Sequence, residues 1–459
     1  AERAALRGST SKLLRSPLVY TLSLSIYCTA WTFYGAVGYA ARSGLEYVTI
    51  YLGPSLVMIG WWWGLRKLVR VGRSQRVTSI ADLLSARYGK SNALAIGVTV
   101  LAVIGITPYI SLQLQSITLS FSTFAEADPL RSYHETTTVF WVTAGLAVFA
   151  ILFGTRNPLA QTRNTGLVTA IAFESIIKLI AFSLAAVFIV WEVFGDYSSF
   201  ELWFQSNRAN LIPDSTNGTD AATRTALMLF FASTVCMPHI FHMIFAENPK
   251  IEELRSASWA LPLYLVALSL PVLPIAWASV ATDQPLPPEF ATLGIGVDAK
   301  SPSIVMFAFI ATLSAASATL IVSTLALSNM CLKHLVLPLN MIPVDREQGI
   351  YRQLVWIRRS LIALLIFAGF GSFILLGHRE SLAQLGVIAF VGTAQFLPGV
   401  IASLYLPNAN RFGLLGGLTA GLFIWGLLLL APLVLGRPVV DPSWLQSTGL
   451  DATLTATLS

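Results

Sequence analysis

Along most of this chain the hydrophobic positions do not alternate and do not form a stripe. They fill whole segments of about 20 residues or more, which is the pattern of helices whose solvent is hydrocarbon on all sides. Eleven such spans are predicted, at 17–41, 45–70, 91–124, 137–153, 164–194, 223–246, 257–282, 302–330, 354–377, 381–406 and 411–435. Several are longer than a bilayer is thick, so they tilt, bend or project into water. The pattern predicts an all-α integral membrane protein.

Polar residues interrupt that pattern in three informative ways. Span 1 carries WTFYGAVGYAARSG, in which Gly35, Gly38 and Gly44 weaken the helix. Span 6 carries CMPHIFHMIF, in which Pro238 lacks an N–H and His239 and His242 follow within a turn. The two interruptions lie five spans apart, the spacing expected of an inverted repeat whose broken helices frame a site at the midplane. Ordinary kinks and close helix packing are the plainer alternative. The third is ATLSAASATLIVST (311–324), an uncharged stretch of hydroxyls and alanines in span 8.

Composition agrees, since 55% of the 459 residues are apolar and 11% are charged, with a mean hydropathy of +0.69. The net charge of +6 need not imply nucleic acid. If the N-terminus is cytoplasmic, 21 of the 29 basic residues fall in cytoplasmic segments and seven in outer ones, with Lys178 inside span 5. That bias sets the orientation and puts the tail after span 11 outside. Cys28, Cys236 and Cys331 lie in or beside apolar segments without metal-ligand spacing and read as buried hydrophobes. Neither paired carboxylates nor a nucleophile with its base accompany the interrupted helices, so an enzyme and a cofactor are not expected in this segment.

Four stretches, RVTSIADLLSARYGKS, NTGLVTAIAFESIIK, TLSAASATL and FLPGVIASLYLPNANRFGLLGG, resemble in this order motifs of the sodium:solute symporter family. WTFYGAVGYA, FESIIKLIAF and FHMIFAENPKIEELRSASWALPLYL look like the transporter-like module of CbrA-type bacterial sensor histidine kinases. The resemblance implies a LeuT-like fold in the bacterial inner membrane. Its first five-helix repeat would be 17–194, followed by an external loop at 195–222, a second repeat at 223–406 and a peripheral helix at 411–435. A cytoplasmic segment, 1–16, precedes them, in a chain expected to begin partway into a longer product. The external tail, 436–459, would lead to a further helix and a kinase with its response regulator.

The resemblance further implies a cation site between spans 1 and 8, with carbonyls from Ser25, Cys28 and Ala311 and the hydroxyl of Ser314; the second hydroxyl position is Ala315. Na+ wants oxygen ligands, so that departure weakens a Na+ site, and Glu174 with Lys178, spaced to pair at i,i+4, offers proton coupling instead. The plainer alternatives are an ion pair that locks helix 5 and hydroxyls that bond back to their own helix. A solute cavity is expected among Thr29, Trp31, Thr32, Tyr34, Tyr109, Gln113, His239, Phe241 and Gln395. Free amides and carbonyls at helix breaks suit a zwitterionic amino acid, and the aromatic and amide groups suit a flat polar side chain such as that of histidine. Three functions follow: a proton-coupled carrier that also feeds a sensor kinase, a receptor that does not transport, or a Na+ symporter.

Overall fold

The computed structural model describes residues 16–126, 136–154, 164–211, 219–282, 286–338, 350–376, 382–435 and 439. The predicted N-terminal segment, apart from Ser16, and the predicted tail, apart from Val439, lie outside the described residues. Every described part of the eleven spans is predominantly helical. Among the described residues, seven helices are long and apolar enough to cross a membrane, and a bent pair makes an eighth. Spans 1, 2 and 4 differ: span 1 is in pieces, span 2 turns after Ile59 and resumes at Leu65, and the apolar part of span 4 is short.

Local chemistry sets the helix starts. Pro17, Pro238 and Pro302 each occupy a first helical position, where a missing N–H costs nothing. Ser79 and Asp82 close a capping box at the head of Ile80–Arg87, in the segment between spans 2 and 3. The segment predicted as an external loop contains a helix of its own, Tyr197–Leu211, whose Phe200 and Phe204 pack on Trp277.

Spans 3 and 8 pack against each other deep in the protein. Of their apolar stretches 61% and 72% are buried inside the protein, against 22% for span 11, which is peripheral as expected. Span 5 lies against span 8 with Ile171, Ser175, Lys178 and Phe182 inward and Phe173, Ile176 and Ile180 outward. These rows follow the three-to-four spacing of one helix face, so an apolar span carries its one ammonium toward the protein and not toward lipid.

Candidate binding site

Two spans lose their helical course inside this core. In span 1 the helix Pro17–Ser23 tightens to a 3-10 turn, Leu24–Tyr27, and Cys28 is extended (φ −83°, ψ 93°). A helical course resumes through Trp31–Gly35 and Ala36–Ser43. In span 6 the helix ending at Cys236 meets Pro238–Phe245 at 53° across an extended Met237 (ψ 129°). Where backbone groups leave an apolar helix they need other partners.

At the span 1 break the partners come from span 5. The Lys178 Nζ donates to the carbonyls of Ser25 (3.2 Å) and Cys28 (2.9 Å). Ser175 Oγ donates to the carbonyl of Leu22 (2.7 Å) and meets Ser25 Oγ. Tyr264 OH in turn donates to the carbonyl of Ser175 (2.9 Å). Of the expected Glu174–Lys178 pair, the ammonium reaches across to span 1, where two carbonyls converge, and Glu174 Oε2 is buried without a hydrogen-bond partner. Ser314 Oγ donates to the carbonyl of Glu174 (2.8 Å), which ties span 8 to span 5. Ala311 and Ala315 are buried on the same helix.

Between the two breaks stand Thr29, Tyr109, Gln113 and His239. Thr29 Oγ1 and Tyr109 OH share a hydrogen bond of 2.7 Å, and the amide of Ala30 donates to Gln113 Oε1 (3.2 Å). His239 stacks on Tyr109 with ring centres 5.9 Å apart and planes 12° from parallel, and Phe390 flanks the same tyrosine. Gln113 follows Tyr109 by one turn on span 3, so both lie on one face. His239 is 1% exposed, and neither Nδ1 nor Nε2 has a partner; Gln113 Nε2 also has none. A neutral imidazole offers one donor and one acceptor, and the carboxamide nitrogen two donors. First-turn amides of Pro238–Phe245 have no acceptor within their own helix. Together these groups offer both donors and acceptors.

The other expected lining residues are placed in packing. The Trp31 indole donates to the carbonyl of Ala383 (3.1 Å) and lies on Gly386, where a Cβ would come within 2.1 Å of the ring. Thr32 donates to the Thr29 carbonyl (2.9 Å). Tyr34 OH bonds Ser120 and Thr312, both at 2.8 Å. Phe241 stacks on Phe245 with ring centres 3.9 Å apart. Gln395 Oε1 is buried without a hydrogen-bond partner and sits against Gly421 of span 11, 2.6 Å from where a Cβ would be.

Sequence reasoning missed a polar staple at the end predicted to be cytoplasmic. Asp82 accepts from the Thr78 and Ser79 amides, Thr78 Oγ1 and Lys333 Nζ (3.1 Å), and His334 Nε2 lies 3.0 Å from its other oxygen. Burial opposes its charge, but the His334 contact, the Lys333 ammonium and the Thr78 donors outweigh burial and hold its carboxyl well below the usual range. Nearby, Arg73 donates to Asn248, whose amide donates to Tyr20 OH (2.9 Å), and Glu247 accepts from the Asn164 amide (2.8 Å). The S-x-x-D spacing of Ser79 and Asp82 was the available signal; Lys333 and His334, some 250 residues on, had none.

No family model and no curated relative matches the sequence. Solved structures do. A Na+-coupled sialic acid symporter in a substrate-bound, outward-open state is 13% identical, with 90% of each chain covered and a TM-score of 0.63. The Eremococcus coleocola manganese transporter in complex with an aromatic bis-isothiourea compound is 13% identical, covering 98% of this chain and 94% of its own, at a TM-score of 0.54. A mutant of that transporter gives 14% identity, 97% and 92% coverage, and 0.57. At such identities the likeness concerns the fold, which is the all-α, LeuT-like architecture with spans 1 and 6 broken.

Proposed function

We propose that this chain is a membrane carrier module for a small zwitterionic solute, with histidine the best candidate. The observation that carries the reading is the set of buried, unpartnered polar atoms of His239 and Gln113 where two broken helices meet. Leaving such atoms unpaired costs about 1–3 kcal/mol each, and a ligand that pairs them recovers that cost on binding. The similarity in fold to two transporters supports movement of the solute across a bacterial cytoplasmic membrane, and not only its capture. In this reading residues 17–194 and 223–406 rock about the site, and protons drive uptake in place of Na+, with Glu174 as the carrier of the proton. The motif likeness to sensor kinases supports a second use of the same occupancy, as the input to a kinase and its response regulator.

The test is counterflow in proteoliposomes with a panel of labelled amino acids that includes histidine, under separate proton and Na+ gradients. Exchange of histidine, accelerated by an inward proton gradient, is the expected outcome. Saturable binding without exchange under either gradient leaves a receptor, and no binding of any member removes the proposed site.

A further inference from the structure

The fold family implies a coupling Na+ between spans 1 and 8, and the residues of this chain do not fit it. The carbonyl oxygens of Ser25 and Cys28, the two that span 1 would offer, are both engaged by the Nζ of Lys178 at 3.2 and 2.9 Å. On span 8, position 315 has a methyl group where a second hydroxyl would be needed, and the Ser314 hydroxyl is directed to the Glu174 carbonyl at 2.8 Å.

From this disagreement we propose that the Lys178 ammonium is itself the resident cation of this place. A charge covalently tethered to span 5 closes the joint with broken span 1, and the joint needs no Na+. The inference rests on the carrier reading above for its consequence, which is uptake indifferent to Na+, but not for its geometry.

Three features make the ammonium a fit occupant. It is a compact point charge with three donors and no acceptor, so it can bond two carbonyls at once as a hard cation does. Its helix presents it inward, one turn from Ser175, which bonds the Leu22 carbonyl of the same span 1. Its Nζ bonds the two span 1 carbonyls, while Glu174, one turn back on span 5, keeps an Oε2 that has no hydrogen-bond partner. Cys28 and Tyr264 also lie at this joint, and neither supplies a competing cation. A Na+ arriving beside this ammonium would meet a like charge about 4 Å away; at the effective dielectric of partly buried pairs, the repulsion lowers its affinity by about three powers of ten.

The test uses the purified chain and no solute. Wild-type protein is titrated calorimetrically with NaCl, and its melting temperature is compared in NaCl and choline chloride of equal ionic strength. No saturable heat and equal melting temperatures are expected; saturable Na+ binding in the millimolar range overturns the proposal, whatever any variant does. Lys178→Ala should melt at least about 5 °C lower in choline chloride and regain most of the loss in methylammonium chloride, which returns an ammonium to the two carbonyls. A merely space-filling role would be restored instead by Lys178→Met, without methylammonium, and that result also overturns it. Failure of these arms leaves the carrier reading standing, whereas absence of counterflow with these arms as expected removes the carrier reading alone.

Discussion

The two helix breaks arise from the same backbone event and are finished in opposite ways. At Cys28 and at Met237 an extended residue interrupts an apolar helix deep in the protein. The span 1 break is filled from within: Lys178 and Ser175 take its carbonyls, Thr29 caps the Trp31 amide at 3.1 Å, and Gln113 takes the Ala30 amide. The span 6 break presents His239, with both ring nitrogens unpartnered and 1% exposure. In hydrocarbon a freed polar group must find a partner or carry its full desolvation cost. A break whose partners are built in is a joint of the structure, and a break whose partners are left out is a place for a ligand.

Substitution at each break should separate the two kinds of polar group. Lys178→Glu turns a donor into an acceptor facing two carbonyl oxygens and leaves a buried charge unpaired, a change that costs about 3–5 kcal/mol. The largest fall in melting temperature is expected here, accompanied by loss of a monodisperse peak in size-exclusion chromatography. His239→Leu removes a group that has no protein partner to lose, so stability should stay within about 1 kcal/mol of wild type or rise. Histidine affinity, measured by equilibrium binding, should nevertheless fall at least about tenfold, which is about 1.4 kcal/mol. If His239→Leu instead lowers the melting temperature as Lys178 variants do, the span 6 break is a structural joint as well and the contrast fails.

Much of this was legible because hydrocarbon imposes simple rules on sequence. Span lengths, the two breaks and the inward-facing Lys178 follow from apolar runs, from glycine and proline positions, and from the rarity of charge in membranes. Thr29, Tyr109 and His239 were all named from the sequence and adjoin one another, and Gln113 takes the Ala30 amide beside them. The hydrogen-bond acceptors of Lys178 were not legible, because the i,i+4 rule considers one helix at a time and the backbone carbonyls of span 1 carry no mark in the sequence. The segment between spans 2 and 3 matched a motif, yet its role as a staple depended on Lys333 and His334 arriving from span 8.

That staple supplies a control distant from both breaks. Asp82 has its carboxyl held below the usual range, so its contribution to stability is fully present above the unfolded value near 4 and is lost as pH falls from there through the folded value. Wild-type protein should therefore lose melting temperature progressively below about pH 4. Asp82→Asn keeps the shape but gives up the charge, and should cost about 1–3 kcal/mol at neutral pH while flattening that acid limb. An acid limb of undiminished steepness in Asp82→Asn would assign it to other carboxylates. Histidine binding should change far less in this variant than in His239→Leu, because Asp82 touches neither break.

The smallest effect, and the sharpest for the span 1 break, is expected from Ala315→Ser, which restores the hydroxyl that a Na+ site would want. Span 8 shows what a new hydroxyl does there: Thr312 donates to the Ala308 carbonyl at 2.8 Å and Thr319 to the Ala315 carbonyl at 2.9 Å. A serine at 315 can likewise donate to the carbonyl four residues back, with little change in stability. Its lone pairs would then be available to a cation. The carbonyls of Ser25 and Cys28 would still be held by Lys178, so a Na+ titration of Ala315→Ser should remain as flat as in the wild type. Only the double variant Lys178→Ala with Ala315→Ser, which frees the carbonyls and adds the hydroxyl, should bind Na+ with a saturable heat. A saturable Na+ response from Ala315→Ser with Lys178 intact would mean that the ammonium yields its place, and that the hydroxyl at position 315, not the charge at 178, decides which cation closes the joint.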